Sequence, residues 1–543
     1  MTTQEFKAKA IELVDDLKGV CANYGLGNDG NEFKIITQVF LYKFLNDKFA
    51  YEVKRIDPTL ANAESWEEAL QAKTSDEYEL ILMQLGASTA RLKPEHFLAT
   101  LYGKQNESDF AKLLDSTLLD IATINTDIFS VMTNDGEKIV LFEAITQYVA
   151  SQRDDFARAL INKLINFSFE QIFVEKFDFY ATLFEYLIKD YNSDSGGKYA
   201  EYYTPHTVSK IMSECLVPEG EEDVTCYDPA AGSGSLLMNL AHAIGEDRCT
   251  IYTQDISQKS SNLLRLNLIL NNLVHSIPNV IQGNTLLEPY HKAESGDRLR
   301  KFDFIISNPP FKLDFSDYRD QLDSKANQKR FFAGIPNVPK KAKDKMAIFL
   351  LFLQHTIYLL SDGGRAAVVV PTGFITAQSG ISKKIRKHLV DNKMLGGVIS
   401  MPSNIFATTG TSVSILFIDT TNKKDIMLID ASGLGRKVKE GKSQKTLLSK
   451  DEQQKIINTF NNKETDDDFS VSVSYEDIEA KGFSLSAGQY FDVKIEHEEI
   501  SENEFANKIQ LFSMQLDSLF LESRELEAQI SEQLAGVRYE NIE

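Results

Sequence analysis

Asn308, Pro309, Pro310 and Phe311 close a mostly apolar run, Phe302 to Ser307, that reads as a buried strand. Two successive prolines fix φ near about −65°, remove two backbone donors and push Asn308 towards an extended conformation. What remains is a row of acceptors. The side-chain oxygen of Asn308 and the carbonyl of Pro309 can hold both hydrogens of a planar NH2 group, while Phe311 offers a face on which a ring stacks. Such a clamp suits transfer to an exocyclic amine, whose lone pair is conjugated into its ring. An enzyme then gains most by accepting the hydrogens and aiming the lone pair at an electrophile, with no strong general base required. Taken alone, the tetrapeptide equally suits an edge turn that caps a strand.

Upstream, Val224 to Tyr227 reads as a short buried strand, followed by Asp228, Pro229, Ala230, Ala231, Gly232, Ser233, Gly234 and Ser235 and an apolar helical run from Leu236 to Ile244. Only residues without bulk let backbone NH groups approach a ligand closely, and a helix N-terminus favours a negative group. A second strand, Cys249 to Gln254, ends in Asp255, 23 residues past Gly232, where an acid can bind ribose hydroxyls. That spacing fits any nucleoside cofactor. A dinucleotide is disfavoured because Leu237 fills the last glycine position of Gly-x-Gly-x-x-Gly and because nicotinamide chemistry gives the amine clamp no purpose.

The segment Asp228 to Leu237, followed by Asn308 to Phe311, resembles the S-adenosylmethionine-dependent DNA amino-methyltransferases. Further matches narrow the resemblance: Tyr202, Tyr203, Thr204 and Pro205 before the glycine loop, the run Gly363 to Phe374, and Asn404, Ile405 and Phe406 before the strand Ser412 to Ile418. Together with the long helical N-terminal region, that order is similar to the modification subunit of type I restriction-modification systems. The resemblance implies N6-adenine methylation of double-stranded DNA with S-adenosyl-L-methionine as cofactor and no metal. It implies that Gly232 and Gly234, with Ala230 and Ser233 between and beside them, approach the cofactor. Asp228 would face its methionine end, Asp255 its ribose, and Asn284 with Thr285 its adenine. Asn284 stands where an aspartate is more usual, and an amide also pairs with an adenine edge. Asn308, Pro309, Pro310 and Phe311 would hold the flipped base. Thr204 before Pro205 reads as a helix cap and first-turn proline, and with Tyr203 beside them that helix end would take the methionine carboxylate. Cytosine N4 is the nearest competing target, since the clamp sees only an NH2 group. A glutamine-modifying protein methyltransferase also uses Asn-Pro-Pro-aromatic, and a cofactor-sensing subunit without turnover would carry a broken clamp or glycine loop; both are intact.

In the elements that carry these residues, strands near 226, 252, 281, 305, 368, 398 and 415 alternate with helices. The expectation is an α/β fold: a mostly parallel seven-stranded methyltransferase sheet with helices on both faces, plus an N-terminal all-α domain and a C-terminal helix. In open sheets of this type ligands sit at the carboxyl ends of strands, where Asp228, Asp255 and Asn308 all fall. The 543 residues divide as 1–165, a helical domain patterned by Phe33, Phe40 and Phe44; 166–475, the methyltransferase; and 476–543, a C-terminal segment and docking helix. Asn192 to Gly197 reads as a flexible connection.

Net charge is −21, which suggests that a partner supplies much of the DNA affinity. The charge is uneven. Residues 491–543 hold 13 acids against 4 bases, whereas 312–345 hold 9 bases against 5 acids and 421–450 hold 8 against 3. The 312–345 segment reads as a solvated face or as a mobile loop over DNA phosphates, and the helix bearing Lys383, Lys384, Arg386 and Lys387 as a second candidate. Cys21, Cys215, Cys226 and Cys249 lack metal or disulfide spacing, which suits a cytoplasmic chain, and Met346 to Leu360 is too short to span a bilayer. No P-loop or nuclease cluster is present, so cleavage and translocation are assigned to separate restriction subunits. In the tail, Phe505, Ile509, Phe512, Leu516, Leu519, Leu526 and Ile530 follow alternating steps of three and four, broken by Ser523. That is a narrow seam for pairing with another helix. It is assigned to a separate specificity subunit, with two modification subunits per specificity subunit by the resemblance.

Overall fold

The computed structural model describes residues 3–27, 30–173, 186, 204–406, 412–440, 443–491 and 501–535. Tyr202, Tyr203 and the Asn192 to Gly197 connection lie outside them. Residues 1–491 cluster as one compact unit and 492–543 as a second.

In the first unit the strands are, in chain order, β1 (Val131–Thr133), β2 (Lys138–Ile139), β3 (Val224–Asp228), β4 (Cys249–Asp255), β5 (Val280–Gln282), β6 (Phe302–Ser307), β7 (Leu360–Pro371), β8 (Leu395–Ser400), β9 (Val413–Asp419), β10 (Ile426–Asp430), β11 (Arg436–Glu440), β12 (Ser443–Leu447) and β13 (Ser470–Val473). Eleven of them form one sheet in the order β13-β10-β8-β9-β7-β6-β3-β4-β5-β1-β2. The seven-stranded expectation is therefore corrected. The seven strands read from sequence are its contiguous centre, β8 to β5, and two further strands extend each edge. β7, β6, β3, β4 and β5 run parallel, and β9 is inserted antiparallel between β7 and β8.

Parallel strands buried on both faces read as continuous apolar runs, which is why β3, β6 and the end of β7 are legible. Their register is pinned by a polar side chain. Asp303 on β6 accepts from the Thr225 backbone N–H (2.9 Å) and hydroxyl (2.7 Å) on β3 and from Ser361 Oγ on β7 (2.9 Å). Helices cover both faces. Ser235–Ile244 and Gln258–Leu270 pack in one apolar cluster, while Phe349–Leu359 and Gly380–Asp391 pack in the other.

The N-terminal region is mostly helical, with Phe40 and Phe44 of the helix Gly30–Ile56 edge-on to Phe169 at 5.0 and 5.5 Å. It is not all-α, however. The β1–β2 hairpin adds itself to the edge of the sheet, with β1 parallel to β5. Arg265 fastens this junction. Its buried guanidinium donates to the carbonyls of Phe129, Ile139, Val140 and Leu141, and burial pulls its pKa down to about 10.

The second unit contains a helix from Glu502 to Ala535, started by reciprocal bonds between Ser501 and Glu504. All of its described residues are exposed, including the seam Phe505, Ile509, Phe512, Leu516, Leu519, Leu526 and Ile530. Leu511, Met514, Phe520 and Leu521 are exposed as well and lie off that seam, so the apolar surface is broader than the narrow strip expected. No helix among the described residues is long and apolar enough to cross a membrane.

Candidate active site

The carboxyl ends of β3, β4 and β6 open on a cavity of about 300 Å³. Thr204, Asp228, Ala230, Gly232, Ser233, Asp255, Asn284, Thr285, Asn308 and Pro310 all line it. Stretches separated by up to about a hundred residues are thus brought to one wall. Phe311 is half-buried and meets Phe349 edge-on at 6.3 Å, and Phe349 meets Phe374 in the same way at 6.1 Å. Phe311, Pro309, Pro205 and Gly234 do not line the cavity.

The turn after β3 is shaped by two acids. Asp228 is buried, and its Oδ1 accepts from the Ala230 N–H (2.9 Å) and from Ser307 Oγ (2.8 Å), which ties the glycine turn to the end of β6. Asp255 accepts from Gly232 N–H (2.9 Å) through one oxygen and from Ser257 N–H (2.8 Å) through the other. The Gly232 amide therefore serves Asp255, and the glycine, at φ 53°, permits the turn. Gly234, at φ 83°, has a packing reason: a Cβ there would meet Leu264 Cδ1 at 2.2 Å. Thr285 donates its hydroxyl to the Pro229 carbonyl (2.7 Å) and buttresses the turn. Asn284 Oδ1 accepts from the N–H groups of Leu286 and Leu287.

Thr204 does not cap its helix. The helix His206–Leu216 begins after Pro205 with no side-chain cap, and Thr204 Oγ1 instead accepts from Asn308 Nδ2 at 3.2 Å. That bond occupies the amide nitrogen of Asn308 and leaves its oxygen as the acceptor to be used. Sequence reasoning passed over Ile256, Leu286, Tyr318, Ile348 and Phe352, which supply apolar and aromatic wall. Ile256 is 61% exposed directly after Asp255, the one visible signal of a flat ligand there. Glu95, His96 and Asp120 lie close together elsewhere, but both His96 nitrogens are engaged, by Lys93 N–H and by Asp120, so the group is a closed network.

Burial raises the Asp228 carboxyl from 3.8 to about 7, with the Asp255 charge adding to the effect, and burial raises Asp255 as well. The folded chain holds the Asp228 proton where an unfolded aspartate has released it. Its stabilising contribution is full below pH 3.8 and is lost as pH rises towards about 7. Asp228→Asn lacks this titration. The variant is expected to gain on the parent between about pH 4 and about pH 7, with a ceiling of roughly 4 kcal/mol. Thermal melts of both proteins across that range measure it. A constant difference would mean that Asp228 does not hold a buried proton.

The lining fits an amino acid joined to a nucleoside: two buried acids and small turn residues at one side, and an aliphatic and aromatic wall for a ring. Three comparisons bear on what it serves. The chain is 26% identical to the MpnII methylase subunit, a type I restriction enzyme subunit of Mycoplasma pneumoniae, over 98% of this chain and 97% of that one. It is 25% identical to the HindI methylase subunit of Haemophilus influenzae, over 77% and 93% respectively. The crystal structure of the methyltransferase subunit of a type I restriction-modification system from Streptococcus thermophilus shares the fold, with a TM-score of 0.71 at 24% identity over 91% of this chain and 100% of that one. The N-6 DNA methylase family matches residues 175–499, more than half of the chain. Because that span takes in the glycine turn, both buried carboxylates and the Asn-Pro-Pro-Phe clamp, the chain belongs to the N-6 DNA methylase family.

Proposed function

We propose that the cavity binds S-adenosylmethionine and that the clamp beside it holds an adenine flipped out of duplex DNA. The chain is a DNA adenine-N6 methyltransferase of the type I restriction-modification class. The observation that carries the site assignment is the Asn308–Thr204 bond in the wall of a cavity that Asp228 and Asp255 also line. S-adenosylmethionine, when bound, supplies a methyl group on a cationic sulfur. Asp228 and the turn after it would hold the amino-acid end, Asp255 the ribose hydroxyls, and Asn284 with Ile256 the adenine ring. Asn308 Oδ1 and the Pro309 carbonyl accept the two hydrogens of the target amine. This orients the nitrogen lone pair, and the same oxygens stabilise the cationic amine before a proton leaves to water. Pro310 stiffens the turn, and Phe311 supports the base.

Activity is divided along the chain as 1–165 for docking, 166–475 for chemistry and 476–543 for partner binding. The C-terminal helix docks on the helical spacers of a specificity subunit in the cytoplasm, two methylase subunits to one specificity subunit. Cleavage and translocation belong to the restriction subunits of the same complex. Nucleoside analysis of DNA from cells expressing the chain with its genomic neighbours is expected to show N6-methyladenine. N4-methylcytosine in its place would overturn the target assignment.

A further inference from the structure

The segment between the clamp and the helix Phe349–Leu359 has a core of its own and is no loose loop. Phe315, Leu322, Phe331 and Ile335 pack there with Leu286 and Phe352, and the Leu313 N–H donates to the Met346 carbonyl at 3.1 Å, tying the two ends together. Its inner side faces the cavity through Leu313 and Tyr318. Its seven lysines, by contrast, are all exposed, and none forms an ion pair among the described residues. Its two arginines are engaged: Arg319 pairs with Asp323 at 2.7 Å, and Arg330 is buried, donating to the Leu286 carbonyl at 2.5 Å. In a chain of net charge −21, nine bases against five acids in one short segment make a local surplus of positive charge.

We propose that this face binds the DNA backbone, and that Lys312, Lys343 and Lys345 contact the phosphates flanking the flipped nucleotide. The Leu313–Met346 tie brings these three lysines together at the foot of the clamp. Extruding a base costs a few kcal/mol, and phosphate contacts on either side of it offset that cost where it arises. Two rival surfaces fit less well. On the helix Gly380–Asp391, Lys387 pairs with Asp391 at 2.8 Å, Lys383 and Lys387 lie over the Phe483 ring, and Arg386 is buried with its donors on the carbonyls of Phe374, Ala377 and Phe483. The basic β11–β12 hairpin follows β10, which stands four strands from β6, about 19 Å at the usual strand spacing. Thr446 of the hairpin bonds the carbonyls of Asn404 and Ser403 after β8, whereas the 312–345 segment follows the clamp directly.

The inference rests on the DNA methyltransferase reading, and its test is read without turnover. In the complex assembled from the full chain and its co-purifying subunits, K312Q/K343Q/K345Q is compared with the parent by anisotropy of a labelled duplex over a salt series. The slope of log affinity against log salt is expected to flatten by about 2 to 3, at about 0.9 per phosphate lost. Cofactor binding in the absence of DNA is expected to be unchanged, and K312R/K343R/K345R to keep the parent slope. K383Q/K384Q/K387Q serves as the matched control and is expected to leave the slope alone. An unchanged slope in the first variant, or an equal change in the control, would overturn the proposal. A parent complex that binds DNA with the expected slope but yields no N6-methyladenine would instead overturn the functional reading.

Discussion

Asn308→Ala is expected to lower methyl transfer by about a thousandfold or more while leaving cofactor affinity within about twofold, because a single preorganised contact to a reacting group is worth about 10² to 10³ in rate and this one also positions the amine. The structure separates the two effects. Asn308 reaches the cavity directly after β6, whereas the two acids, Asp228 and Asp255, are the last residues of β3 and β4. Thr204→Val removes the bond that fixes the Asn308 amide and should cost about tenfold, mostly in kcat, since the acceptor remains but is no longer held. Single-turnover assays on the assembled complex, with cofactor affinity from calorimetry, measure both. Near-normal turnover of Asn308→Ala would remove the clamp from the mechanism.

Deleting residues 500 to 543 is expected to abolish co-purification with a specificity subunit and methylation of specific sites, with cofactor binding intact. The helix Glu502–Ala535 exposes Phe505, Ile509, Phe512, Leu516, Leu519, Leu526 and Ile530, each about half or more of its surface. Apolar surface of this extent marks a site of association. Burying only three such side chains, at about 1.5 kcal/mol each, changes affinity by roughly 10³. The flanking acids, which leave residues 491–543 with 13 acids against 4 bases, keep the seam soluble until it is covered. A truncated chain that still assembles and methylates its site would show that the seam has another use.

The centre of the sheet was legible because long buried strands announce themselves as apolar runs. Its edges were not. β1, β2 and β13 hold three, two and four residues, and the first two interrupt a region whose helical pattern dominates, unlike the equally short β5, which lies where strands and helices already alternate. The glycine turn and the clamp were readable from local chemistry. The partner of Thr204 was not, since Asn308 lies 104 residues away, and a Thr-Pro pair looks like a cap wherever it occurs. Arg330 and Arg386 were grouped with exposed lysines because a cation in a polar stretch normally faces water. Arg330 instead donates to one main-chain carbonyl and Arg386 to three, both from within the protein, a role that no spacing announces. Ile348 and Phe352 wall the cavity from an apolar run whose residues look alike in the sequence, and sequence does not distinguish a wall from a core.

The β1–β2 hairpin also bears on how this chain can be cut. β2 is a two-residue strand carrying Lys138, a terminus that offers little to a neighbouring molecule. A catalytic fragment beginning after residue 165 would lose both strands, leaving the Val280–Gln282 edge with its ladder groups unpaired, and would strip Arg265 of its acceptors on Phe129, Ile139, Val140 and Leu141. Such an edge is a template for strand addition by a second copy. The β1–β2 hairpin thus covers an edge that would otherwise be open to strand addition, and a fragment meant to stay monomeric should keep it.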